Sequence, residues 1–192
     1  MPNHVANKIQ FNGKQANIDK VLELIKGKHE GQYIDFEKII PMPENIFRGN
    51  LGLEEEKLYG KNNWYDWSIE HWGTKWNAYD IGLGMEDDDN VITFNTAWSC
   101  PLPVLDTLAE ICYKHDVFFT GKWADEDCGC NVGIFESDCD GDEYWFSYEK
   151  IESRSNEAYE IYVELHGESC CLAKDEDGNW YYRGCDDCPN PC

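Results

Sequence analysis

Positive charge is scarce in this chain: 192 residues hold 16 Lys and Arg against 38 Asp and Glu, a net charge of −22. The shortage is also uneven. Through Met85 there are 10 basic and 12 acidic side chains, and from Glu86 onward there are 6 and 26, so the two parts carry −2 and −20. A half this acidic repels nucleic acid phosphates and anionic membranes, which argues against direct binding to either. Long apolar runs are missing as well, since no window approaches the roughly 18 residues of a membrane span. The opening Met1-Pro2-Asn3-His4-Val5 has no basic or apolar leader region, so a cytoplasmic location is expected. In that reducing compartment the 10 cysteines are expected as thiols or metal ligands rather than as a disulfide framework.

Catalytic signatures are lacking too. Nothing matches a phosphate-binding loop or a nucleophile elbow. Gly82-x-Gly84 is too short for a dinucleotide fingerprint, and acidic residues hostile to phosphate follow it. His4, His29, His71, His115 and His166 are scattered. His71 beside Glu70 offers acid–base chemistry, but no nucleophile can be placed next to it. An enzyme is therefore unsupported.

Aromatic residues, by contrast, make up 14%, with 8 Trp and 11 Tyr, far too much for a disordered chain. Val5, Ile9 and Phe11 alternate as in a strand, and Ile18, Val21, Leu22 and Ile25 recur at helical spacing before Gly27 as a C′ residue. A short apolar run, Phe36 to Ile40, is closed by Pro41 and Pro43. A short helix is expected near Leu53 to Leu58, then an aromatic segment from Trp64, then strands over Tyr79–Met85 and Val91–Trp98. Ser99 is placed to cap a helix with Pro101 in its first turn and Leu102, Leu105, Leu108 and Cys112 as its stripe. Strands follow over Val117–Trp123, Cys130–Phe135 and Tyr144–Tyr148. Ala158, Ile161, Tyr162 and Leu165 give a last helix ended by Gly167, and a hairpin turns at Asp175-Glu176-Asp177-Gly178.

The fold class is α+β. Residues 91–174 run strand, helix, strands, helix, strand, the order of a ferredoxin-like unit, with the strand near Tyr144 as a departure. The expected division is an N-terminal mixed α+β part, 1–88, packed against an acidic ferredoxin-like part, 89–192, ending in a Cys-rich tail.

Several blocks carry a family resemblance: Met1-Pro2-Asn3-His4-Val5, Phe36-Glu37-Lys38-Ile39-Ile40-Pro41-Met42-Pro43, Trp72-Gly73-Thr74-Lys75-Trp76-Asn77-Ala78, Phe94-Asn95-Thr96-Ala97-Trp98-Ser99 with Pro101, and Ala124-Asp125-Glu126-Asp127. Together they resemble the YubB-type ferredoxin-like family of phage and plasmid proteins. The resemblance implies a ferredoxin-like domain and an origin in mobile genetic elements. It supplies no activity, cofactor or catalytic residue, and the name concerns topology, so no iron–sulfur cluster is expected.

The candidate binding residues are Trp72, Thr74, Lys75, Trp76, Asn77, Trp98, Trp123, Asp125, Glu126 and Asp127. An aromatic face beside a cation can grip a planar or peptide ligand. The competing reading is a buried corner, with the tryptophans as core and Asn77 holding a turn. The three carboxylates from Asp125 to Asp127 suit a cation or basic partner, or are simply solvated. Asp138, Asp140, Asp142 and Glu149 imitate calcium-loop spacing, but Glu143 stands where the loop needs glycine and no helical frame surrounds them. Cys170, Cys171, Cys185 and Cys188 offer sulfurs for a zinc site, or are plain thiols.

The functional expectation is a non-catalytic module that binds an unidentified protein, a basic nucleic-acid-binding protein being the class its acidity would mimic nucleic acid for. The alternative is a small-molecule-binding protein or enzyme with a pocket lined by Trp72, Trp76, Trp98 and Trp123.

Overall fold

Along β1 (His4–Gly13) the side chains of Val5, Asn7, Ile9 and Phe11 are buried, while Lys8 and Gln10 turn to the opposite face. That period of two makes β1 a strand with two covered sides. The computed structural model describes residues 3–85, 88–140 and 142–184.

β1 lies in the middle of a six-stranded antiparallel sheet whose order is β2-β3-β1-β4-β5-β6. The other strands are β2 (Tyr79–Met85), β3 (Asp88–Ala97), β4 (Val117–Asp125), β5 (Gly133–Asp140) and β6 (Glu143–Lys150). Between β1 and β2 come α1 (Gln15–Ile25) and the short helices α2 (Phe36–Ile39), α3 (Leu53–Tyr59) and α4 (Trp64–His71). α5 (Leu102–Tyr113) joins β3 to β4, and α6 (Asn156–His166) follows β6. A small hairpin of β7 (Leu172–Lys174) and β8 (Trp180–Tyr182) comes after α6.

The α+β, ferredoxin-like expectation holds; a βαββαβ path also runs β1-α1-β2-β3-α5-β4 across residues 4–125, and β7, the closing strand expected within 91–174, pairs with β8 outside the six-stranded sheet. The division expected at residue 88 falls within the β2–β3 hairpin, and β1 from the first part pairs with β3 and β4 of the second. The strand near Tyr144, unexplained by the bare pattern, is β6, which extends the sheet beyond β5.

Trp123 and Ala124 are neighbours on β4 yet pack in different clusters, as alternation requires. Trp123 joins Ile18, Val21 and Ile25 of α1 and Leu105, Leu108 and Cys112 of α5 in the main core. Ala124 joins Val132, Ala158 and Ile161, so α6 covers the other face. Gly121 is required where it stands, because a Cβ there would collide with the Lys8 carbonyl and the Phe135 ring.

Some termini differ from the sequence expectation. Ser99 does not cap α5: its hydroxyl donates to the Gly73 carbonyl (2.6 Å), and Pro101 holds the cap position. α1 ends at Lys26 in extended backbone, without a left-handed glycine at Gly27. β5 begins at Gly133 rather than Cys130, because Gly129 and Asn131 adopt positive φ and turn the chain first.

Glu164 of α6 pins the helix to the sheet, accepting from Lys8 on β1 (2.8 Å) and Lys122 on β4 (2.6 Å). Desolvation pushes its carboxyl up, but hydrogen bonds and charge from Lys122 and Lys8 outweigh that and hold it below the usual glutamate range. A lowered folded value gives stability that is present above the unfolded value, about 4.3, and is lost as pH falls through the folded one. Glu164→Gln is therefore expected to lower stability at pH 7 by at most about 1 kcal/mol, since the triad is partly exposed and screened. Urea unfolding followed as a function of pH should show that difference shrinking to nothing in strong acid.

Candidate functional site

The segment after α4 is built from the cap outward. Asn63 accepts from the N–H groups of Tyr65 and Asp66 (both 3.0 Å) and starts α4. The helix delivers Trp72 into the core, where its ring meets Phe36 and Trp67 edge-on and its indole N–H donates to the Ile40 carbonyl (2.9 Å). Gly73 then takes a φ of +73°, and a Cβ there would press on Pro103 at 2.7 Å, so glycine makes the turn possible. Thr74 is wholly buried; its hydroxyl donates to the Ala97 carbonyl (2.7 Å) and accepts the Ala97 N–H (3.1 Å). Asn77 accepts from the N–H groups of Phe36 and Ala78 (both 2.9 Å) and donates to Asp35 (2.6 Å).

Trp72, Thr74 and Asn77 are thus fasteners. Trp72 and Trp123 are 4% and 1% exposed and present no accessible ring face, so the four tryptophans do not line one pocket. Trp123 stacks on Phe135 instead. Asp125 is buried and fully engaged, accepting from Asn3 (3.0 Å), the Asp127 N–H (2.9 Å) and Asn131 (3.2 Å).

The accessible remainder gathers at one corner, where the starts of β1 and β2 meet the end of β3. Trp98 is 41% exposed. It has a φ of +73°, a left-handed conformation costly for a bulky side chain. The Trp98 N–H donates to the Asn3 carbonyl (2.9 Å), and Asn131 donates to the Trp98 carbonyl (3.1 Å), so both neighbours enforce the strain. The Lys75 ammonium lies 4.8 Å from the Trp76 ring centre, 4.9 Å from Trp98 and 5.8 Å from Tyr65. Beside them the Tyr79 hydroxyl is hydrogen-bonded to His4 Nδ1 (2.5 Å). Desolvation, then the charges of Asp80 and Glu126, push the Tyr79 phenol up, so it stays protonated near neutrality. Glu126 and Asp127 are exposed.

Of the residues singled out from sequence, this corner brings together Lys75, Trp76 and Trp98, with Asn131 linking the Trp98 backbone to Asp125. His4, Tyr65, Tyr79 and Asn131 were missed. His4 and Tyr79 begin strands that share β3 as a neighbour, a placement that pairing reveals and linear spacing does not.

A groove of about 580 Å³ on the sheet face includes Lys8, Thr120, Lys122, Glu136, Glu149 and Glu164 in its lining. Its lysines are already paired with Glu164. Among the described residues no group of three or more His, Cys, Asp or Glu side chains is arranged to hold a metal ion. Asp138 stands opposite Trp145 and Glu149 opposite Ile134, so the calcium-like spacing is spread along a regular hairpin. Cys185 and Cys188 lie outside the described residues. Cys170 is disulfide-bonded, contrary to the thiol expectation; its Sγ is 3.9 Å from that of buried Cys171. Compartment governs whether disulfides persist, not which sulfurs the fold brings together. Burial pushes the thiols of Cys100 and Cys112 well up, leaving both unreactive.

Truncation separates core from corner. Trp123→Ala is expected to cost about 3–5 kcal/mol of stability. Trp98→Gly, which relieves the left-handed strain, should leave stability unchanged or raise it by up to about 1 kcal/mol. Urea midpoints measure both.

No curated protein and no solved structure matches the chain. Residues 71–165, from the end of α4 through nearly all of α6, match the family model of the ferredoxin-like domain in Api92-like protein.

Proposed function

We infer that the protein is a non-catalytic interaction module that engages a basic protein partner, with the Trp98 corner as its anchor. The observation that carries this is Trp98 itself. A large aromatic held in a strained backbone and left exposed costs stability without serving the core, which points to use elsewhere. Exposed aromatics of this kind are the residues that dominate binding energy when a partner covers them. Carboxylates at Asp80, Glu126 and Asp127, together with the −20 of the second half, favour a cationic surface and steer its approach.

A nucleic-acid-binding protein, whose basic groove an acidic surface can occupy, is the class this chemistry fits best. The YubB-type resemblance supports an origin in a phage or plasmid, with the partner encoded by the host or the element and met in the cytoplasm.

Passing host lysate over the immobilised protein and eluting with a salt gradient tests it. One basic nucleic-acid-binding protein should be retained and released at moderate salt, because such attraction is screened over about 8 Å at physiological ionic strength. Trp98→Ala should weaken retention about 30-fold, the effect of truncating a hot spot. Empty lanes at every salt, or retention indifferent to Trp98, overturn the reading.

A further inference from the structure

β6 is an edge: among the described residues β5 is its one paired neighbour. The opposite edge, β2, is irregular, with register shifts and a positive φ at Asp80. β6 pairs with β5 in unbroken register over all of Glu143–Lys150, without bulge or proline. Natural edges of this length are normally blunted.

The direction of its backbone follows from one hydrogen bond. The Ile151 N–H donates to the Val132 carbonyl (3.0 Å), continuing the register that sets Lys150 opposite Gly133. Antiparallel pairs alternate in bonding, so Glu143, Trp145, Ser147 and Glu149 exchange their backbone bonds with β5. The N–H and C=O groups of Tyr144, Phe146, Tyr148 and Lys150 therefore point outward.

Side chains on the two faces differ. One face shows Glu143, Trp145 and Glu149 on β6 beside Glu136, Asp138 and Asp140 on β5, all exposed. The other packs Tyr144 and Phe146 against the main core and leaves Tyr148 53% exposed.

We propose that β6 receives an extended segment of the basic partner as a seventh strand, its lysines or arginines alternating with apolar residues. Cationic side chains on one face of the added strand meet the carboxylates and Trp145, and apolar ones on the other meet Tyr148. A second copy of this chain is the poorer occupant, since each copy brings −22 and its own row of carboxylates. The proposal rests on the basic-partner reading but uses a different part of the surface from Trp98.

The probe is a capped eight-residue peptide alternating lysine and valine, titrated while tryptophan fluorescence is followed. Tyr148→Pro removes an outward N–H while leaving the β5 ladder intact. It should bind about tenfold more weakly than Tyr148→Thr, which loses the same ring contact but keeps the N–H, a difference of one hydrogen bond's worth. Methylating the peptide's backbone nitrogens should abolish the interaction although its charge is kept. If Tyr148→Pro binds like Tyr148→Thr, or the methylated peptide binds as well as the unmethylated one, the contact is not made through the backbone and strand addition is wrong. Sedimentation showing a dimer that Tyr148→Pro dissociates would assign the edge to a second copy and overturn it too. Lysate capture that needs Trp98 but ignores Tyr148→Pro sinks this proposal and leaves the module reading standing.

Discussion

The double pairing of β1 is the constraint on which the rest depends. It bonds β3 on one side and β4 on the other, so strands distant in the sequence become neighbours only through it. Its alternation also sets both layers, sending Ile9 and Phe11 into the core beneath α1 and α5 and Lys8 towards Glu164 of α6. Asn7 shows how tight this centre is. Its amide donates to the Val5 carbonyl (2.9 Å) and the Thr96 hydroxyl (2.9 Å), while its own carbonyl oxygen has no partner among the described residues. A buried polar group left half-satisfied is costly, and it is kept where it orders neighbouring strands.

Charge follows from this geometry. The basic side chains that reach the middle of the sheet, Lys8 and Lys122, are consumed by Glu164. On the face of β5 and β6 that carries Glu136, Asp138, Asp140, Glu143 and Glu149 these strands contribute no lysine or arginine, and the five carboxylates remain open to solvent. The −20 of the second half is therefore concentrated partly where an external cation can use it. The thiols of Cys100 and Cys112 sit in the core, and Asp125 is spent on holding a loop.

Much of the fold was legible because periodicity is local. Ile18, Val21 and Ile25 announce α1, and Tyr79 to Met85 announces β2 to the residue. What sequence did not show was partnership. Residues 91–174 suggest the order because their elements are consecutive, but the sheet also draws in β1 from far away in the sequence and leaves β7 out. The site was half legible for the same reason. Trp72, Thr74, Lys75, Trp76 and Asn77 are adjacent in the chain, but burial divides them into fasteners and accessible residues. A tryptophan carries no signal in its own identity for a φ of +73°; Asn3 and Asn131, far apart in sequence, impose it.

The edge strand and the acidity have one physical logic. An exposed, regular strand bearing Trp145 and Tyr148 is a hazard, because any similar strand could pair with it. Nature guards such edges with charge, and on the face that carries Glu143 and Glu149 the guard is of one sign. Glu143 and Glu149 on β6 and their neighbours on β5 repel a like-charged strand, including another copy of the same chain. The same carboxylates lower the free energy of a strand bearing the opposite charge. Protection and selection are thus the same electrostatic term seen from two partners, and neither requires the strand to change conformation. A basic or mixed surface in that place would protect the edge equally well but would admit a different partner, so the sign of the charge matters more to this edge than its amount.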